Sequence, residues 1–487
     1  MLRRAVFLLA LSVFACPNGA SAATITRLAH QPPDGAIITF QLTDGTVMAQ
    51  GNSESHWWRL TPDNKGSYVN GTWTQAATLP AGYVPLYFAG AVLADGRLVI
   101  AGGEYLNGSF SFTNLSAIYD PLADKWTDIT PDRKLLPYIG DSPSSVLPDG
   151  RFLVGEKFKT KVFALDPKTL GWSELSSKGK HDFNAEEGWV LMPDGSLLTH
   201  DVKAHPLSER YIPKKGVWKD AGSTVVDLRA PQDCCGNCIP YGPKGKCYDP
   251  PGEVGAAVLM TDGRVFAAGG IPEGGSIAHT SIYSPPDAAN PKGTWTPGPD
   301  FPAGEDAGDT PIALLPNGNV LIETDFGIGN LYEYNGKTLT RTASNVGWGS
   351  LMLLPTGEVL INGYEVYKGD GTYKSAWAPA ITSAPATVKR GSSYQISGTQ
   401  FNGLSQASGM GDEQETVTNY PLVRITNNST GHVLYARTHD HSTMAVATGS
   451  ATVSTNFDVP SGAETGASKL EVVANGIPSQ SVNVTVN

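Results

Sequence analysis

The feature that most constrains this chain is a unit that recurs seven times: an apolar run, a tight turn and a second apolar run. Its clearest copy is Leu86 to Gly103, LYFAGAVLADGRLVIAGG, which ends in a Gly doublet. The turns sit at Asp44-Gly45, Asp95-Gly96, Asp149-Gly150, Asp194-Gly195, Asp262-Gly263, Asn317-Gly318 and Thr356-Gly357. Asp-Gly between two apolar runs is a hairpin signal, and the expected turn is type I′, which needs two residues tolerant of positive φ. Successive turns are 51, 54, 45, 68, 55 and 39 residues apart, a mean of 52. That is close to the roughly 50-residue period of kelch-type propeller blades.

Other marks recur in phase with the turns. Tyr119-Asp120-Pro121 precedes Trp126, Leu165-Asp166-Pro167 precedes Trp172, Tyr211-Ile212-Pro213 precedes Trp218, and Tyr283-Ser284-Pro285 precedes Trp295. Each reads as a third strand, a turn and an aromatic on a fourth strand, and Trp73 and Trp377 extend the series. These aromatics are expected to pack between blades. Ring closure of the repeats then removes long exposed sheet edges.

The rhythm stops after Trp377. From Tyr394 on, short apolar segments alternate with turns: Tyr394 to Ser397, Leu422 to Thr426, His432 to Ala436, Thr443 to Ala447, Thr455 to Val459, Lys469 to Ala474 and Val482 to Val486. About seven strands in roughly a hundred residues suit an immunoglobulin-like (early-set) β-sandwich. The expected fold is therefore all-β, with a seven-bladed kelch propeller over residues 24–379 and a sandwich over 380–487. Abundant Gly (55) and Pro (35) agree with short strands and tight turns. Residues 1–23 read as a secretory signal, with Arg3 and Arg4 ahead of an apolar core and small residues around Ala20 to Ala23. A secreted or periplasmic location follows, and no segment is apolar enough to span a membrane. The net charge of -11 argues against nucleic acid as a partner.

The 68-residue spacing holds an insertion, CCGNCIPYGPKGKC, with Cys234, Cys235, Cys238 and Cys247. In an exported protein an even count favours two disulfides, whose pairing the sequence leaves open. A Cys₄ metal site is the alternative. The insertion precedes the inner strand near Glu253, so it projects from the face where inner strands begin. It either walls a site there or only staples a long connection.

The architecture resembles the galactose oxidase and glyoxal oxidase superfamily. In the last domain Pro421-Leu422-Val423-Arg424-Ile425, Thr438-His439, Phe457-Asp458-Val459-Pro460-Ser461 and Ala474-Asn475-Gly476-Ile477-Pro478-Ser479 match that family's C-terminal pattern in order. The resemblance implies that His439 is a copper ligand delivered into the propeller. The family's propeller ligands lie eight residues before the turn Asp, which gives Tyr87, in the place of the radical-bearing tyrosine, as a further ligand. Tyr105 then falls where the family stacks a tryptophan. The pattern breaks at Ala36, where the crosslinking cysteine is needed, and at Gly347-Trp348, where a Tyr-His pair is needed. Two of five copper-site residues survive, so copper-radical oxidation is demoted.

The same count in the remaining blades gives Asp141, Glu186, Val254 and Asp309, with Glu187, Glu253 and Asp306 nearby. Three carboxylates, Tyr87, Trp348 and His439 are thus expected at one mouth of the central channel. Converging carboxylates raise one another's pKa unless a cation sits among them. One reading is glycan hydrolysis or elimination, with Asp141, Glu186 or Asp309 as acid and base, Tyr87 beside them, and Trp348, Tyr105 and Glu253 contacting an extracellular carbohydrate. A second is a divalent metal, copper, calcium or manganese, held by the carboxylates and His439. A third is a non-catalytic propeller that binds a glycan or other small ligand. Hydrolysis or elimination ranks above oxidation.

Overall fold

The computed structural model describes residues 23–231, 239–242, 244–248, 250–324, 329–347, 349–409 and 416–487. The region proposed as a signal is therefore outside the described residues except for Ala23, as are Trp348, Cys234, Cys235 and Cys238. Apart from the single 3₁₀ turn Ser375–Trp377, the regular elements among the described residues are strands.

Seven antiparallel sheets form the blades among the described residues, six of four strands and the sixth blade of five, where Ser408–Gly409 joins its inner strand; all but the seventh pair their own blade strands in chain order. The third is representative: Ser144–Val146, Phe152–Gly155, Val162–Asp166 and Gly171–Leu175 pair in chain order. The innermost strands stand side by side, and that of the first blade (Thr39–Gln41) also neighbours that of the seventh (Leu351–Leu353), so the ring closes. The seventh blade takes its fourth strand from the N-terminus: Thr24–Arg27 pairs with Glu365–Lys368. Trp377, expected on a fourth strand, lies instead in the 3₁₀ turn, because the N-terminal strand already fills that place.

The turns differ from the type I′ expectation. Gly96 N–H donates to the Leu93 carbonyl, Leu93 N–H donates to the Arg97 carbonyl, and of the Asp95-Gly96 pair only Gly96 has positive φ (84°). This is a three-residue loop with a type I turn and a left-handed glycine. Asp95 instead accepts the Arg97 amide at 3.1 Å, a bond repeated by Asp44, Asp149, Asp194, Asp262 and Asn317. The side chain thus caps the turn and need not adopt positive φ.

The fourth-strand tryptophans do join blades. Trp126 Nε1–H donates to Ala77 O at 3.0 Å and Trp172 Nε1–H to Ile129 O at 2.7 Å, each reaching the end of the preceding blade.

Residues 380–487 form a two-layered sandwich. Ala380–Ser383, Ser393–Thr399, Val453–Asp458 and the end of Val433–His439 make one layer. Leu422–Asn427, Gly466–Ala474 and Val482–Val486 pair with the start of Val433–His439 in the other. Ile396, Phe401, Val423, Ile425, Phe457, Leu470 and Val472 are buried between them. Thr443 to Ala447, expected as a strand, is a loop against the propeller. Met444 N–H donates to Pro148 O at 3.1 Å, and Met444 and Val446 are buried in propeller cores. Its apolar residues serve docking. Ser408–Gly409 enters the channel and pairs with the inner strand Ile312–Leu314 of the sixth blade.

Candidate active site

In a hairpin the start of the first strand lies beside the end of the second. Residues before an inner strand and residues after its partner therefore share one mouth of the channel. Tyr87, Glu186 and Asp309 stand before their inner strands with φ of 53°, 61° and 53°. Left-handed backbone at a non-glycine residue costs about 1–3 kcal/mol and is retained where surroundings enforce it. Here Tyr87 O accepts the Glu104 amide at 2.9 Å, and Asp309 N–H donates to Val254 O at 3.0 Å. Gly102 and Gly103 let the second blade's chain run against Gly140, with Gly103 N–H donating to Gly140 O at 2.6 Å. That places Glu104 on the approach to Asp141.

Lys157, two residues past the third blade's second strand Phe152–Gly155, sits at the centre. Its side chain is 0% exposed, and its ammonium pairs with Asp141 and, at 2.6 Å, with Glu186 Oε1. The rings of Phe112 and Tyr248 lie 5.4 and 5.2 Å from the ammonium. Tyr248 belongs to the insertion, in the hairpin Ile239–Tyr241 and Lys246–Tyr248, and its hydroxyl donates to Glu186 Oε1 at 2.7 Å. Cys247 beside it is disulfide-bonded. Ile239 and Tyr248 pack with Phe112 and Ala185, so the insertion walls this mouth.

Asp141 and Glu186 are buried, whereas Glu104, Asp309, Tyr87 and Tyr105 are only partly so and form a rim. Burial, with the Asp141 charge second, pushes Glu104 up to about 9, although Lys157 pulls it down. Burial, then Glu186 and Asp141, pushes Asp309 up to about 8. Burial and then Glu186 raise Asp141 to about 7, against Lys157. Burial alone would lower Lys157, but the Asp141 and Glu186 charges outweigh it and hold the ammonium well above its ordinary value. The mouth thus holds proton-donating carboxyls beside Glu186, whose Oε1 accepts from both Lys157 and Tyr248.

Asp141, Glu186 and Asp309 come together as the eight-residue count anticipates, and Tyr105 meets Tyr87 edge-on with ring centroids 6.0 Å apart. Glu253 pairs in the two-residue strand Glu253–Val254 with Arg229–Ala230. Glu187 points elsewhere, to Lys180. His439 is not at this mouth. Thr438 N–H donates to Thr43 O and His441 N–H to Ala94 O, at the turns that end the inner strands. Eight residues of strand, about 25 Å, separate those turns from the mouth. The His439 ring is bound to Asp440 and Asp458 at 2.7 and 3.1 Å. His441 is buried against Tyr420, with centroids 6.3 Å apart. Glu104, Lys157 and Tyr248 are the site residues that the inner-strand count passes over.

Copper, which the oxidase resemblance implies, does not fit this set. Tyr87 has neither a cysteine at Ala36 nor a histidine from the sandwich beside it. Among the described residues, the groups of three His, Cys, Asp or Glu side chains close enough to share an ion are in the fourth blade and do not include His439.

Sheet order and site together define a β-propeller protein with a C-terminal sandwich and a carboxyl-rich channel mouth. No family model matches the chain. Kelch-like protein terF of Aspergillus terreus (strain NIH 2624 / FGSC A1156) is 30% identical over 132 residues, which is 27% of this chain and 27% of that protein. Among solved structures, a fungal alcohol oxidase of the AA5 family in complex with copper has a TM-score of 0.49 at 12% identity, covering 96% of this chain and 100% of its own. Virginiamycin B lyase from Staphylococcus aureus has a TM-score of 0.42 at 11% identity, covering 71% and 98%. No helix of the described residues is long and apolar enough to cross a membrane.

Proposed function

We propose that the channel mouth is an acid/base site acting on an extracellular carbohydrate by hydrolysis or elimination, in a protein exported by its N-terminal segment. The observation that carries this reading is the division of the carboxyls around Lys157. Asp309 and Glu104 keep their protons near neutrality at the partly exposed rim, while Glu186 is held as an acceptor. A general acid needs a proton at working pH and access to the leaving oxygen, and Asp309 has both. Tyr105 and Phe110, with ring centroids 4.4 Å apart and Phe110 exposed, offer apolar faces beside the acids on which a sugar ring can stack. Ligand binding without turnover is the competing reading. It is favoured by the burial of Asp141 and Glu186, whose charges Lys157 already meets.

The test is release of reducing ends, or of unsaturated products, from a panel of polysaccharides by the wild type and by Asp309→Asn and Glu186→Gln. Turnover should fall by at least about 100-fold in each, with binding retained. Unchanged turnover of an identified substrate in both would sink the acid/base reading. Binding with no turnover in the wild type would favour the competing one.

A further inference from the structure

Glu186 and Glu187 are adjacent but serve different surroundings. Glu187 turns into the body of the fourth blade, where its two oxygens accept from Lys180 Nζ at 3.1 and 3.0 Å. Lys180 also donates to Glu209 at 3.3 Å. Asp182 Oδ2 accepts the amides of Lys203 and Ala204 at 2.9 and 3.2 Å, and Oδ1 that of Phe183 at 3.0 Å. Asp201 is unlike these three. It is 2% exposed, yet neither carboxylate oxygen has a hydrogen-bond partner, and the nearby His181 Nδ1 stands 3.3 Å from Oδ2. A buried carboxylate without a partner calls for one.

One oxygen each from Asp182, Glu187 and Asp201 lie within 4.8 Å of one another. Ligands on opposite sides of a calcium ion, at about 2.4 Å each, are separated by about the same distance. A second triad, His181, Asp201 and Glu209, shares Asp201, but its histidine side chain is 41% exposed. Four carboxylates here face one lysine ammonium, so a second cation is accommodated electrostatically. Each carboxylate oxygen accepts twice, which lets Lys180 and an ion share Glu187.

We propose that Asp182, Glu187 and Asp201 form a buried structural site for a hard divalent cation of the calcium type, within the fourth blade and separate from the channel mouth. Fully buried carboxylate oxygens suit such an ion, whereas a zinc-like ion would choose the triad with His181. The full chain, stripped with chelator, is titrated with calcium by calorimetry, and its thermal unfolding is recorded with and without the ion. One ion per chain should bind. At calcium 100-fold above the dissociation constant the folded-to-unfolded ratio should rise about 100-fold. Asp201→Asn should remove both effects while keeping the wild-type circular dichroism, since neither Asp201 oxygen holds a hydrogen bond that the amide would break. Lack of calcium binding by the stripped wild type, or undiminished binding by Asp201→Asn, would overturn the proposal. So would zinc binding in preference to calcium. If Asp201→Asn does not fold, the wild-type titration decides.

Discussion

Lys157→Met is the most informative single change. Methionine keeps the length of the stem among Phe112 and Tyr248 but deletes the ammonium that pairs with Asp141 and Glu186. Removing one partner of a buried ion pair costs about 3–5 kcal/mol, because the remaining charges are left uncompensated. The loss must also depend on pH. Without Lys157, the carboxyls of Asp141, Glu104 and Asp309 are driven further above their ordinary range and take up protons in the folded state. The unfolded chain releases those protons at about pH 4. Between that pH and the raised folded values the folded state holds more protons, so its stability falls as pH rises. The loss should therefore be fullest at pH 8 and shrink toward pH 5. Urea unfolding followed by circular dichroism at both pH values measures it. Adding Glu186→Gln to Lys157→Met should recover part of the loss at pH 8. Equal losses at the two pH values, or none at pH 8, would refute the placement of Lys157 as the counter-charge of the mouth.

Tyr248→Phe keeps the ring contacts with Phe112 and Phe158 but loses the hydroxyl bond to Glu186. A hydrogen bond to a charged group is worth about 1.5–3 kcal/mol, so the urea midpoint should fall measurably. Glu323 is buried in the sixth blade, and burial pushes it up to about 9. This side chain therefore lowers stability progressively as pH climbs from the usual carboxyl range toward 9. Glu323→Gln should be more stable than the wild type by roughly 2–4 kcal/mol at pH 8, with little difference at pH 4. A pH-independent effect in the same unfolding experiment would contradict that cause.

The blades are legible in the sequence because each turn is local: an Asp, a Gly and two apolar runs set a hairpin without help from the rest of the chain. What needed distant partners was not legible. The strand Thr24–Arg27 is defined by its pairing with Glu365–Lys368, and no local pattern announces it. Thr443 to Ala447 alternates like a strand, but its apolar residues answer to Pro148 and the propeller cores. At the mouth, the inner-strand count reaches Asp141, Glu186 and Asp309 yet misses residues just past the returning strand. Counting forward from the turn reaches the same level: Lys157 is eight residues after Asp149, and Glu104 nine after Asp95. Tyr248 lies in an insertion that has no period. The Thr438-His439 pair matches a family pattern, but that pattern does not say at which end of the strands the histidine falls. The bonds to Thr43 and Ala94 put it at the turns.

Two buried lysines divide the negative charge of this part of the ring. Lys157 faces Asp141 and Glu186, with Glu104 and Asp309 close enough for the Asp141 and Glu186 charges to raise both. Lys180 faces Glu187 and Glu209, with Asp182 and Asp201 beside them. Both side chains are 0% exposed, and each has more carboxyls around it than one ammonium can balance. The surplus has to be met by protons or by another cation. At the channel mouth Asp309 and Glu104 are partly open, which is where the proposed general acid would stand. Around Lys180 the carboxylate left without a partner, Asp201, is enclosed, and an ion can satisfy it without entering any reaction. Glu186 and Glu187 stand one on each side of that divide. The left-handed backbone of Glu186 is the local device that sends consecutive carboxyls to two different lysines.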